Sequence, residues 1–142
     1  MSRALNYLGL AKKAGMLEIG EENTGAAIRW GKARFVLLAS DASDNAKRRL
    51  DGFLYEKDIP MLRVPFTKEE ISAETGKNGC SMAAFTDVGF AHSFAQALCE
   101  SGVDCSETAQ KLLDDKKRLA KRRQEAKQHE KNKKFGKRRK SV

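Results

Sequence analysis

Glu21, Glu22 and Asn23 stand together in GEENTGAAIRWG (residues 20–31), three oxygen acceptors in a row within a chain of formal charge +9. Carboxylate and amide oxygens accept hydrogen bonds from the N–H donors of nucleic-acid base edges, a task lysine and arginine cannot perform. The same residues at a helix start would also complement its unpaired N–H groups and the macrodipole. Both readings stand at this point. A second group, Gly76, Lys77, Asn78, Gly79, Cys80 and Ser81, combines small residues with one cation. Its glycines suit a phosphate, but no strand–loop–helix cradle follows. A third group is the basic terminus, KNKKFGKRRKSV, where Phe135 is a candidate stacking residue for an unpaired base.

Catalytic chemistry finds little support. The chain has no Walker loop, no G-x-G-x-x-G and no nucleophile elbow. Cys80 has no histidine nearby in sequence to activate it. Cys80, Cys99 and Cys105 form no C-x-x-C pair and no disulfide framework, and adding His92 does not make a zinc-ligand pattern. The expectation is no catalytic residue, no metal and no cofactor. No apolar run reaches membrane-spanning length and no signal pattern opens the chain, so a reducing cytoplasm is the expected compartment.

The charge divides sharply. Residues 1–102 hold 13 Lys+Arg and 13 Asp+Glu, whereas residues 103–142 hold 15 and 6. This predicts a neutral domain over 1–102 and a basic extension over 103–142, helical at first and disordered beyond Lys127. Such a one-sided run favours nucleic-acid contact over simple solvation.

Strand and helix signals alternate through the neutral part. Ser2 is placed to cap a helix with the apolar stripe Ala4, Leu5, Leu8 and Ala11, stopped at Gly15. Met16–Ile19 reads as a strand. Gly20 and Gly31 bracket the quoted helix. Phe35–Ala39 is a continuous apolar run, as a strand covered on both faces requires. Ser43 or Asp44 opens a helix burying Leu50, Phe53 and Leu54, and Met61–Val64 is another strand. Thr67 and Glu70 have capping-box spacing, and Ser81–Phe85 is the fourth strand. Asp87 caps a helix through about Leu98 that packs Phe90, Phe94 and Leu98. In the extension Ser106 caps a helix carrying Leu112, Leu113 and Leu119, with Glu107–Lys111 and Asp114–Arg118 as supporting pairs. The alternation argues for an α/β protein with its sheet between helices.

Five stretches in order, LGLAKKAGMLEIG, the GEE helix start, AIRWGKARFVLLASDAS, TKEEISAETGKNG and SMAAFTDVGFA, together resemble the kink-turn RNA-binding ribosomal protein family of the L seven Ae type over about residues 3–98. The resemblance is to a short bacterial member with a basic C-terminal extension. It implies a three-layer α/β/α sandwich with a four-stranded mixed sheet. It also implies RNA binding at one edge, where a helix start meets the sheared G·A pairs of a kink-turn and a loop holds an extruded base. By position the helix start is Gly20, Glu21, Glu22 and Asn23, and the loop is Gly76 to Ser81, with Lys77, Asn78, Gly79 and Cys80 between. Asp41 and Ser43 support it after the central strand, and Arg29 and Lys32 are the nearby cations. Relative to archaeal members the order at Glu22 and Asn23 is inverted, and Ala26 stands where a lysine is usual. Ile71-Ser72 replaces the usual leucine-glycine.

The expected function is a non-enzymatic, ribosomal-type RNA-binding protein recognising a kink-turn or similar bent RNA. Its expected partners are ribosomal or other structured RNA and ribosomal proteins, with no membrane. Two alternatives remain open at the level of sequence. One is a protein-interaction module that kept the fold. The other is a general RNA tether in which the extension does the binding.

Overall fold

The computed structural model describes residues 3–78 and 80–140, the last eight as backbone alone. The cap assigned to Ser2, the site residue Gly79 and the stacking role of Phe135 lie outside what is described. Among the described residues six helices and four strands follow in chain order, alternating as far as α5: α1 (Arg3–Lys13), β1 (Leu17–Ile19), α2 (Glu21–Arg29), β2 (Phe35–Leu38), α3 (Asp44–Leu54), β3 (Met61–Arg63), α4 (Lys68–Thr75), β4 (Met82–Phe85), α5 (Val88–Glu100) and α6 (Ser106–Lys140). Strand ends differ from the sequence expectation by a residue or so.

The capping signals operate as their spacing demands. Ser43 Oγ accepts from Ala46 N at 3.1 Å to start α3, and Asp87 accepts from Phe90 N at 3.0 Å to start α5. Thr67 and Glu70 form the reciprocal capping box at the head of α4. The sheet order is β1-β4-β2-β3, with β2 and β3 parallel and the other pairs antiparallel. It is therefore a four-stranded mixed sheet. β2 and β4 lie at its centre and every residue of both is buried, which is why FVLL and MAAF carry no polar alternation.

α2 packs on α3, and α1 packs on α4 and α5. These two helix sets sandwich the sheet. Phe35, Phe85 and Phe94 interlock at centroid separations of 5.1–6.0 Å across the sheet–α5 boundary. Phe53, Leu54 and Phe90 are only partly buried against this core. Phe53 instead lies flat on Gly25 of α2. A Cβ there would sit 2.9 Å from its ring, so the α2–α3 approach needs glycine.

The extension differs from its expectation. α6 continues as helix to Lys140 instead of losing order beyond Lys127. From Ala120 to Lys140 the chain has no proline and no β-branched residue, and it is rich in the helix formers Lys, Arg, Glu, Gln and Ala. Packing stops well before the helix does. Cys105 and Leu112 are buried, Leu119 is partly buried, and Lys121 to Asn132 are all exposed. The first turns of α6 thus belong to the core that α5 builds. The pairs expected within α6 are replaced. Lys111 reaches Asp58 at 3.1 Å, and Arg118 pairs with Asp115 at 2.6 Å.

At the α5–α6 corner the thiols of Cys99 and Cys105 are 2.6 Å apart. Burial, with Cys99 adjacent, pushes the Cys105 thiol up to about 12. His92 belongs to α5 and is partly buried, and desolvation and then the nearby Lys116 of α6 hold its pKa below the ordinary imidazole value. Among the described residues no helix is long and apolar enough to cross a membrane.

Candidate nucleic-acid interface

Strand direction decides which loops meet. β4 runs antiparallel to both β1 and β2, with Ile19 opposite Ala83 and Leu38 opposite Met82. The exits of β1 and β2 and the entry of β4 therefore share one end of the sheet. Gly20 N donates to Met82 O at 3.0 Å, and Ala39 N donates to Ser81 O at 2.8 Å. Three separate stretches, residues 20–23, 39–43 and 80–81, converge there.

Gly20 joins β1 to α2 without a linker. Its φ of 98° is a conformation that L side chains rarely adopt, so the abrupt strand-to-helix turn depends on glycine. Lacking a side chain, it gives α2 no side-chain cap. First-turn N–H groups are then left for water or an anion.

The three acceptors divide by role. Glu21 is tied to Arg49 of α3, an exposed pair whose contribution is small. Its position serves the α2–α3 seam as well as the helix start. Asn23 donates its Nδ2 to Ile19 O at 3.0 Å. That bond engages the amide nitrogen, and Oδ1 has no hydrogen-bond partner among the described residues. Glu22 is exposed and has no ion-pair partner among the described residues. Glu22 and Asn23 are thus the two acceptors presented to solvent.

Asp41 and Ser43 reach the same end with their oxygens already in use. Asp41 Oδ1 accepts from Lys68 N at 2.8 Å, tying the β2 exit to the head of α4, while Ser43 caps α3. Arg63, which the sequence reading missed, is exposed here and donates to Ser40 O at 3.1 Å. Nothing local in the sequence marks it; β2–β3 pairing alone brings it there.

In the loop, Lys77 and Asn78 are exposed and Ser81 is partly buried. Cys80 is 0% exposed, and its thiol donates to Lys77 O at 2.9 Å. Its side chain braces the loop from beneath and does not line an open pocket. Cys80→Trp should therefore lower the melting temperature, since overpacking a filled site costs about 1–3 kcal/mol or more. Thermal melts beside RNA titrations check this. Unchanged melting with lost binding would instead return Cys80 to the ligand side.

Arg29 and Lys32 do not join this end. Arg29 lies seven residues beyond Glu22, about 10 Å along the helix axis, and Lys32 follows in the turn toward β2. Both are exposed at the opposite end of the sheet.

Residues 2–95 match the Ribosomal protein L7Ae/L30e/S12e/Gadd45 family. The chain is 40% identical over 75 residues to RNA-binding protein YlxQ of Enterococcus faecium, covering 53% of this chain and 72% of that protein. It is 38% identical over 92 residues to RNA-binding protein YlxQ of Bacillus subtilis, covering 64% and 90%. Among solved structures, a protein of unknown function from Bacillus halodurans superposes with TM-score 0.64 at 28% identity, covering 70% of this chain and 99% of its own. The Giardia lamblia 15.5kD RNA binding protein shares the fold, with TM-score 0.55 at 16% identity over 68% and 82% of the two chains. The family match ends within α5 and does not reach α6.

Proposed function

The chain belongs to the Ribosomal protein L7Ae/L30e/S12e/Gadd45 family, and on that footing we propose that it is a non-enzymatic RNA-binding protein that recognises a kink-turn or similarly bent RNA in the cytoplasm. In this reading it acts on ribosomal or other structured RNA, in the company of ribosomal proteins. The observation that carries the proposal is the convergence of the α2 start and the β4 entry at Ser81 on one sheet end, where Glu22 and Asn23 are exposed.

The chemistry follows from those two acceptors. A sheared G·A pair leaves guanine N1–H and N2–H donors exposed, and oxygen acceptors on a helix start complement them. Bent RNA also presents unstacked bases and a compact backbone, the features by which proteins read RNA other than regular duplex. Lys77 and Arg63 supply cations for phosphates at this end, where Asp41 and Ser43 hold the flanking helices in place. The exposed basic stretch of α6 adds sequence-independent attraction.

Ultraviolet crosslinking in cells, with the RNA sequenced and the crosslinked peptides mapped, tests the reading. Crosslinks are expected within residues 20–23 and 76–81 as well as on α6. Crosslinks confined to residues 121–140 would reduce the sandwich to a platform for a basic tether.

A further inference from the structure

The sheet end opposite Glu22 carries a second, differently built surface. There the C-termini of α2 and α3, the entries of β2 and β3 and the head of α5 come together. Arg34 N donates to Phe85 O at 2.8 Å and Val36 N to Pro60 O at 3.0 Å. α6 crosses this end and encloses an open cleft of about 230 Å³.

Arg34, Lys111, Arg118 and Arg122 line the cleft, against the two carboxylates Asp58 and Asp115. Lys111 is paired with Asp58 and Arg118 with Asp115. Arg34 and Arg122 have no ion-pair partner among the described residues. The cleft therefore keeps two uncompensated guanidinium groups. Two large rings share this end. Trp30, at the C-terminus of α2 and four residues before Arg34, is 74% exposed. Tyr55, at the C-terminus of α3 and three residues before Asp58, is also 74% exposed. Arg29 and Lys32, which do not reach the Glu22 end, flank Trp30 in sequence and are exposed with it.

Rings left in water among unpaired cations are the ingredients of single-strand recognition. Bases stack on the rings whatever their sequence, while guanidinium groups follow the phosphates. A protein partner would favour a contiguous apolar patch. Among the described residues the third exposed large apolar side chain, Leu10, belongs to α1. We propose that the Trp30–Tyr55 end, with the Arg34–Arg122 cleft, binds a single-stranded RNA segment. It is a second contact surface, separate from the α2-start and loop face. The proposal rests on the RNA-binding reading but not on kink-turn recognition.

Trp30 is the only tryptophan of the chain, so its emission reports on this surface directly. The full chain is titrated with a mixed-sequence 12-nucleotide single-stranded RNA, and separately with a kink-turn hairpin lacking single-stranded ends. The single strand should quench Trp30 saturably. Tyr55→Ala and, by fluorescence anisotropy, Trp30→Ala should each weaken single-strand binding by about 5- to 150-fold, the range for loss of one stacking platform. Arg34→Glu with Arg122→Glu should flatten the salt dependence. The hairpin affinity should be the same for wild type, Tyr55→Ala and Trp30→Ala. Single-strand binding without quenching, or unaffected by both ring variants, overturns the proposal, as does no binding of the single strand at all. Loss of hairpin recognition with quenching intact would fall on the kink-turn reading alone.

Discussion

Raising salt from about 50 to 200 mM should weaken the full chain's hold on a plain RNA duplex by about 500-fold, if its extension makes about five phosphate contacts at a log–log slope near 0.9 per contact. A chain ended after Ala120 should show a far shallower slope. Residues 121–140 hold 11 of the 28 basic residues, against Glu125 and Glu130 alone. The place of the cut matters. The change in charge begins at residue 103, but Cys105 and Leu112 are buried in the core and Leu119 packs against it. Removing everything from residue 103 would strip those side chains away and confound lost charge with lost stability. The cut after Ala120 separates the two, and equal melting temperatures would verify that it does. Equal salt slopes would make the exposed part of α6 a solubilising or protein-binding extension.

Replacing Glu22 and Asn23 together by alanine should cost kink-turn binding about 30- to 900-fold, from about 2–4 kcal/mol for two acceptor bonds, one of them charged. The fold should survive. Glu22 is exposed, and Asn23 gives up one bond to Ile19 O, a loss of about 1 kcal/mol. Glu21→Ala is the informative comparison. Its carboxylate is engaged with Arg49, so its removal should change affinity far less than the double substitution. A Glu21→Ala loss as large as that of Glu22 and Asn23 together would mean that the helix-start charge as a whole, and not directed acceptors, holds the RNA.

The architecture was legible because its signals are local. Caps, box spacing, the bracketing Gly20 and Gly31 and the unbroken apolar runs of β2 and β4 each act within a few residues. The family resemblance placed the helix start and the loop on one face, and the register of β4 against β1 and β2 brings them to one end. What escaped depends on distance along the chain. The ties of Glu21 to Arg49 and of Lys68 to Asp41 span 28 and 27 residues, and no local spacing announces them. Arg29 and Lys32 follow Asn23 closely in sequence, yet the rise of the intervening helix carries them to the opposite end. Cys80 sits among small loop residues, as a pocket residue would, and only packing shows that it points inward. The course of α6 escaped for a different reason. A basic stretch with almost nothing to bury has the composition of a solvated coil, but its residues are also good helix formers. Charge and propensity pointed apart, and propensity prevailed.

The most direct test uses two RNAs that differ only at the kink. The wild-type chain is titrated with a kink-turn hairpin and with the same hairpin in which the sheared G·A pairs are replaced by Watson–Crick pairs, at one fixed salt concentration near 150 mM, where screening limits the charge contribution. If Glu22 and Asn23 read those pairs, the kink-turn should bind at least about 30-fold more tightly, equivalent to about 2 kcal/mol. Equal binding of the two RNAs would contradict kink-turn recognition.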